Sequence, residues 1–362
     1  MLKNNYDVII IGGGVIGASC AFYLQKVGKK TLLLEQKTIG YGASFAAAGM
    51  LGAQSEDIKN KELFNLAKKS RSMFKDLSSE IKKLTSIDIE LNNNGILKIA
   101  TTQAEKTSLQ SIVKQQKEIG EVTVWLNKEE VQQYEPNFKG ELLGAIEIPY
   151  DGNVNAINLT LGLSKAACNI GAEIKENTKV TEIIYEGDRA VGVKTSFGVY
   201  NAKYIVVTSG SWSSNLLHNL KMYPVKGEAI SVSCVFPVIK RTIFTKDCYI
   251  VPKLNNTLII GATEVVGDYS TNVSVGSIHK LIQSAINIVP LIRDCTFKKA
   301  WAGTRPQTTS SIPYFYNDKQ YKNVIVCTGH YRNGILLSPI SGKLVAEFIK
   351  NGKGYFNNGT FN

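Results

Sequence analysis

The order of elements predicts an α/β protein in which a lobe with a parallel sheet is interleaved with an α+β lobe built on an antiparallel sheet. Three observations carry this. A β-branched strand runs into a glycine turn, a helix and a second strand at the start of the chain. Alternating helix and strand signals return over residues 155–208 and 323–350. Between them lie blocks made mainly of strands. The first observation is the Rossmann-type opening. The lobes are therefore discontinuous, with 1–88, 148–220 and 312–362 assigned to the first and 89–147 and 221–311 to the second.

Residues 7–11 are short, β-branched and followed by glycines; 15–27 then read as a helix and 31–35 as a second strand. The stretch 40–53 is rich in Gly, Ala and Ser without a sustained period and reads as a loop. Helical spacing spans 61–84, and strands at 96–100 and 122–126 flank a polar helix near 103–118. A helix at 155–170 precedes strands at 178–185, 190–195 and 204–208. The strand block 228–234, 248–251 and 258–261 follows, then a strand at 323–328 and a last helix at 334–350.

With 362 residues and 44% hydrophobic content the chain can bury a full core. Its net charge of +12 would suit a nucleic-acid partner, but the lysine pairs at 29–30, 68–69, 82–83 and 298–299 are scattered, which argues against one. The six cysteines, Cys20, Cys168, Cys234, Cys248, Cys295 and Cys327, include no C-x-x-C and read as reduced, buried apolar residues. The three histidines are dispersed, so no metal is expected. Residues 8–24 resemble a signal-peptide core, but Asp7 and four glycines spoil that reading, and the run falls short of the ~20 residues a membrane span needs. A cytoplasmic protein without a membrane partner is expected; oligomeric state is open, a homo-oligomer included.

The motif at Gly12, Gly14 and Gly17 fits G-x-G-x-x-G between a strand and a helix, and Glu35 ends the next strand. Gly12 permits the tight turn, Gly14 lets backbone approach a pyrophosphate at the helix N-terminus, and Gly17 permits close helix–strand packing. Glu35 is placed to accept hydrogen bonds from ribose hydroxyls. The spacing alone leaves open NAD, FAD or a structural glycine turn.

The stretch Gly42-Ala43-Ser44-Phe45-Ala46-Ala47-Ala48-Gly49-Met50-Leu51-Gly52-Ala53 closely resembles the flavin loop of the glycine-oxidising members of the D-amino-acid oxidase family of FAD enzymes. Asp247-Cys248-Tyr249-Ile250-Val251-Pro252, Ile260-Gly261-Ala262-Thr263, Trp301-Ala302-Gly303-Thr304-Arg305-Pro306 and Gly329-His330-Tyr331-Arg332-Asn333-Gly334-Ile335-Leu336-Leu337 are similar to that family in the same order, so the likeness spans about the whole chain. The resemblance implies FAD held by Val15, Ile16, Glu35, Gln36, Ala43, Ser44, Ala48, Gly49 and Met50. Val180 meets the adenine end through its backbone. The run His330, Tyr331, Arg332, Asn333, Gly334, Ile335 and Leu336 brings backbone amides near the flavin carbonyl. Sarcosine oxidases of the family attach FAD to a cysteine near the segment that is 301–306 here; none lies there, so FAD is expected to be non-covalent.

Flavin-dependent amine oxidation needs an anchor for the substrate carboxylate more than it needs a nucleophile. Arg305 is the candidate, since a guanidinium fork grips a carboxylate bidentately, and the resemblance puts it over the flavin face. By the same resemblance Tyr249 donates a second hydrogen bond to the carboxylate and Arg332 borders the amine end. The plain alternatives are a surface ion pair for an arginine and a core position for a strand tyrosine. Glu264 departs from the family, which often carries an apolar pocket residue there. The expected activity is FAD-dependent oxidation of glycine, sarcosine or a small D-amino acid to an imino acid and hydrogen peroxide, with a possible place in thiamine synthesis. A D-amino-acid dehydrogenase with another electron acceptor, or the flavin module of a tRNA-modifying system, remain as alternatives.

Overall fold

The strand Asn5–Ile11 is buried at most positions because its sheet is covered on both faces, as parallel strands require. It pairs in parallel with Thr31–Leu34 on one side and Gly198–Val207 on the other. In this computed structural model, which describes residues 5–56, 58–318 and 320–352, the sheet runs Tyr314–Asn317, Val324–Thr328, Gly198–Val207, Asn5–Ile11, Thr31–Leu34, Glu173–Lys175. The hairpin Val180–Glu186 and Arg189–Thr195 extends it from Gly198–Val207. Helices Val15–Lys26, Lys61–Thr85, Ala156–Asn169 and Gly334–Asn351 bury one face, in a core that includes Phe22, Phe74, Leu163 and Leu337. The hairpin covers the other, over Ile9, Leu32 and Val207.

The second sheet runs Val265–Val266, Met222–Ser233, Thr257–Gly261, Tyr249–Pro252, Thr242–Phe244, Ile96–Ala100, Gly144–Ile148, Val124–Leu126, with Thr296–Thr308 along the free side of Met222–Ser233. All its pairs are antiparallel except Thr242–Phe244 with Ile96–Ala100. Its apolar core is closed by the helix Val275–Ile288 through Leu281 and Ala285. The fold class is thus the expected one. Among the described residues no helix is long and apolar enough to cross a membrane.

Several local expectations change. The stretch 40–53 contains a short helix, Ala43–Ala46, and a strand, Met50–Leu51, paired with Gly152–Asn153. Helices Lys128–Tyr134 and Val275–Ile288 and the 13-residue strand Thr296–Thr308 were not foreseen. The cysteines are not all reduced and buried. The register that pairs Ser233 with Thr296 brings Cys234 and Cys295 to a Cα separation of 4.5 Å, and they form a disulfide; Cys168 is exposed.

Candidate active site

A cavity of about 670 Å³ lies where the C-terminal ends of the parallel strands meet the second sheet, a size typical of small-molecule sites. Its floor begins with Gly12, whose φ of 107° is left-handed and where a Cβ would come within 2.8 Å of the Ser209 backbone. Gly14 caps the helix Val15–Lys26 without a side chain, and Gly14, Val15 and Ile16 line the cavity. Ser44 Oγ accepts from the Val15 amide at 2.9 Å, fastening the small-residue segment to the helix start. Gly17 does not line the cavity; a Cβ there would meet the Gly12 carbonyl oxygen at 1.9 Å, so it is the packing glycine.

At one end stand Glu35, Gln36 and Val180. The Thr178 amide donates to the Glu35 carbonyl oxygen at 2.7 Å, which brings the start of Val180–Glu186 beside Glu35. The middle is walled by Ala43, Ser44, Ala48, Gly49 and Met50. Gly49 has φ 83°, and a Cβ would strike the Val154 carbonyl oxygen at 1.9 Å, so no other residue fits this bend without rearrangement. Lys253 Nζ donates to Val154 O and Asn153 Oδ1, both at 2.8 Å, from behind the same segment; desolvation lowers its pKa to about 7. The strand Thr296–Thr308 reaches the segment too, with Trp301 Nε1 donating to Ala46 O at 3.1 Å and Gly303 facing Ala46.

At the other end Arg305, Tyr249 and Arg332 come together. Glycines make the room: a Cβ on Gly227 would lie 2.4 Å from the Arg305 guanidinium, and one on Gly261 2.6 Å from the Tyr249 hydroxyl. Burial raises the Tyr249 pKa although Arg305 pulls it down, so the phenol keeps its proton and can donate. Arg305 Nη1 donates to the Thr263 carbonyl at 3.3 Å, and among the described residues no carboxylate lies within ion-pair distance of it. Arg332 is in the opposite condition. Its Nε and Nη2 donate to Glu56 at 2.7 and 3.2 Å and its Nη1 to Glu264 at 2.8 Å. Burial works against its charge, but Glu56 outweighs that and holds its pKa above the usual arginine value.

His330, Tyr331, Gly334 and Ile335 line the cavity where the helix Gly334–Asn351 begins. Burial pushes His330 down to about 3, so its ring is neutral, and Nε2 pairs with Ser341 Oγ at 3.2 Å. Asn333 and Leu336 do not line the cavity, and Leu336 packs in the core. Sequence reasoning missed Ser211, Trp212 and Glu56 in the lining. It also missed Asp151, which is fully buried against Arg71 and accepts from the Gln54 and Ser55 amides at 3.1 and 2.8 Å, fixing the segment that carries Glu56. Only the placement of Glu56 after the small-residue stretch could have signalled it.

The cavity fits a flavin dinucleotide. Two helix starts open into it, an acid stands at the ribose end, and the buried Ser211 Oγ in its wall has no hydrogen-bond partner among the described residues. Fold and site together define a dinucleotide-binding oxidoreductase. The chain belongs to the DAO family, described as FAD dependent oxidoreductase, whose model matches residues 7–348. It is 41% identical to the glycine oxidase of Geobacillus kaustophilus (strain HTA426) over 96% of this chain and 94% of that protein. It is 35% identical to the glycine oxidase of Bacillus subtilis (strain 168) over 97% and 94%. The crystal structure of the Geobacillus kaustophilus glycine oxidase superposes with a TM-score of 0.95 at 40% identity, covering 98% of this chain and 97% of that one.

Proposed function

We propose that the chain oxidises glycine or a closely related small amine, such as sarcosine or a small D-amino acid, with non-covalently bound FAD. The observation that carries this is the contrast between two arginines in one cavity. Arg332 is already paired with two carboxylates, whereas Arg305 meets the Thr263 carbonyl at 3.3 Å and the Tyr249 hydroxyl but no carboxylate among the described residues. A partly buried guanidinium facing a cavity without a carboxylate partner is an anion site, and its fork suits a carboxylate. Bound FAD would supply the two-electron acceptor for the Cα hydride, with oxygen as the final oxidant and an imino acid and hydrogen peroxide as products.

The protein's part is to hold the substrate. Arg305 grips the carboxylate and protonated Tyr249 donates to it. The assignment of the cofactor is to Gly12, Gly14, Val15, Ile16, Glu35, Gln36, Ala43, Ser44, Ala48, Gly49, Met50, Val180 and the start of the last helix, all in the cavity wall except residues of that helix already noted. The two sheets support the domain division given above, whose ends at 1–4 and 353–362 lie outside the described residues. A cytoplasmic location, the absence of a nucleic-acid partner, a homo-oligomeric state and supply of the imino acid to thiazole synthesis for thiamine belong to the same proposal. The relatives named above favour neither the dehydrogenase nor the tRNA-module alternative.

The test is a panel of glycine, sarcosine and D-alanine read by bleaching of the yellow flavin without oxygen, then by peroxide release with it. Glycine should bleach the flavin and peroxide should follow. Acid precipitation should release all the FAD. A yellow protein that none of the three bleaches would refute the reading.

A further inference from the structure

Arg332 is held by carboxylates from two separate segments. Glu56, 9% exposed, takes the Nε and Nη2 edge. Glu264, 48% exposed, takes the remaining Nη1 at 2.8 Å and also accepts from the Tyr331 hydroxyl at 3.2 Å. Two carboxylates against one guanidinium leave one net negative charge at this edge of the cavity, where Glu56 lines the wall and Glu264 stands half-exposed just outside it. With Glu56 alone the pair would balance, and Nη1 would be open to an incoming anion.

We propose that Glu264 determines specificity by turning this second arginine into an acidic rim. This rests on the glycine-oxidising reading. The site takes a single carboxylate, at Arg305, and admits neutral or cationic substituents on the substrate amine. It rejects a substrate with a second carboxylate for two reasons: the outer guanidinium edge is occupied, and a like charge stands beside it. The Tyr331 hydroxyl donates to the same carboxylate and so helps to hold it against Arg332.

Two probes of similar length test this, iminodiacetate and N-(2-aminoethyl)glycine, with glycine as reference. The readout is the ratio of the second-order rate constants of flavin reduction, cationic over anionic probe, from anaerobic bleaching of the FAD-loaded enzyme. The wild type should favour the cationic probe. Glu264→Gln should lower the ratio about ten-fold, as should Glu264→Met, which removes the same charge with a different shape. Glu264→Asp should stay near wild type. High salt should move the wild-type ratio toward that of Glu264→Gln, because the outer carboxylate is screened. Retained flavin absorbance shows that each variant is folded. Bleaching by glycine with a ratio unchanged in both neutral variants overturns the role of Glu264 alone. If a flavin-loaded wild type is bleached by none of the three compounds, the reading of the activity fails and the specificity proposal with it.

Discussion

The Glu35 carboxylate accepts the Gly13 amide at 2.7 Å and the Lys37 amide at 2.8 Å, so the acid that ends the second strand is fastened to the turn that follows the first. Glu35 also lines the cavity, at the end where a ribose would sit. Each charge-assisted bond is worth roughly 1.5 to 3 kcal/mol. Glu35→Ala should therefore weaken FAD binding at least about ten-fold, measured by quenching of flavin fluorescence on titration. Unchanged affinity in a folded variant would remove Glu35 from the cofactor site.

Arg305 offers a sharper test, because its guanidinium has no ionic partner among the described residues. Removing one member of a desolvated charge pair costs on the order of 2 to 5 kcal/mol, so Arg305→Ala should lower kcat/KM for glycine by roughly thirty-fold to several thousand-fold. Arg305→Lys should rescue it poorly, since a point charge lacks the planar fork. Glycolate should lose inhibition in parallel while FAD content stays near wild type. Normal glycine oxidation by Arg305→Ala would make Arg305 structural and point to another clamp.

The pH dependence of stability should carry the mark of Lys253. Desolvation lowers its pKa to about 7 from an ordinary 10.5, so between those values the unfolded chain binds more protons than the folded one. Stability from this group therefore rises with pH across that window and is flat below it, with a slope of at most about 1.4 kcal/mol per pH unit. In urea titrations at saturating FAD, Lys253→Met should lose this rise between pH 7 and about 9. Parallel profiles for the two proteins would contradict the assignment.

Cys234 and Cys295 close a loop of 61 residues, which in a chain-entropy description contributes about 4 kcal/mol. Unfolded, unreduced protein should therefore titrate four thiols of its six cysteines with Ellman's reagent. A reductant should raise the count to all six and lower the urea midpoint. Six thiols before reduction would count against the bridge.

The nucleotide-binding half was legible because its signals are local: a β-branched strand, a glycine turn and a helix in direct succession. The helix expected at 103–118 is found at Gln103–Glu118, marked by the Thr102 and Glu105 capping box. The same signal at Asn127 and Glu130 was overlooked in a helix of only seven residues. Thr296–Thr308 was missed because Pro306 argues against a strand; it is tolerated on an edge strand, where it faces Pro224. The disulfide was illegible for a different reason. Only the cross-strand register brings Cys234 to Cys295, and register is a property of the sheet, not of either segment. Arg305 and Arg332 look alike in sequence, and the partners that distinguish them come from segments around Glu56 and Thr263.

The placing of the first strand has a consequence for synthesis. Asn5–Ile11 needs Gly198–Val207 as a parallel neighbour, and that strand in turn needs Val324–Thr328. At roughly 5 to 20 residues per second the ribosome leaves the first strand waiting on the order of ten to forty seconds for its neighbour. During that interval a strand edge that carries Val8, Ile9, Ile10 and Ile11 is open to any other strand, including those of sister chains on the same message. Slowing initiation relative to elongation, which spaces nascent chains apart, would thus do more for the yield of this protein than strengthening contacts in its finished core.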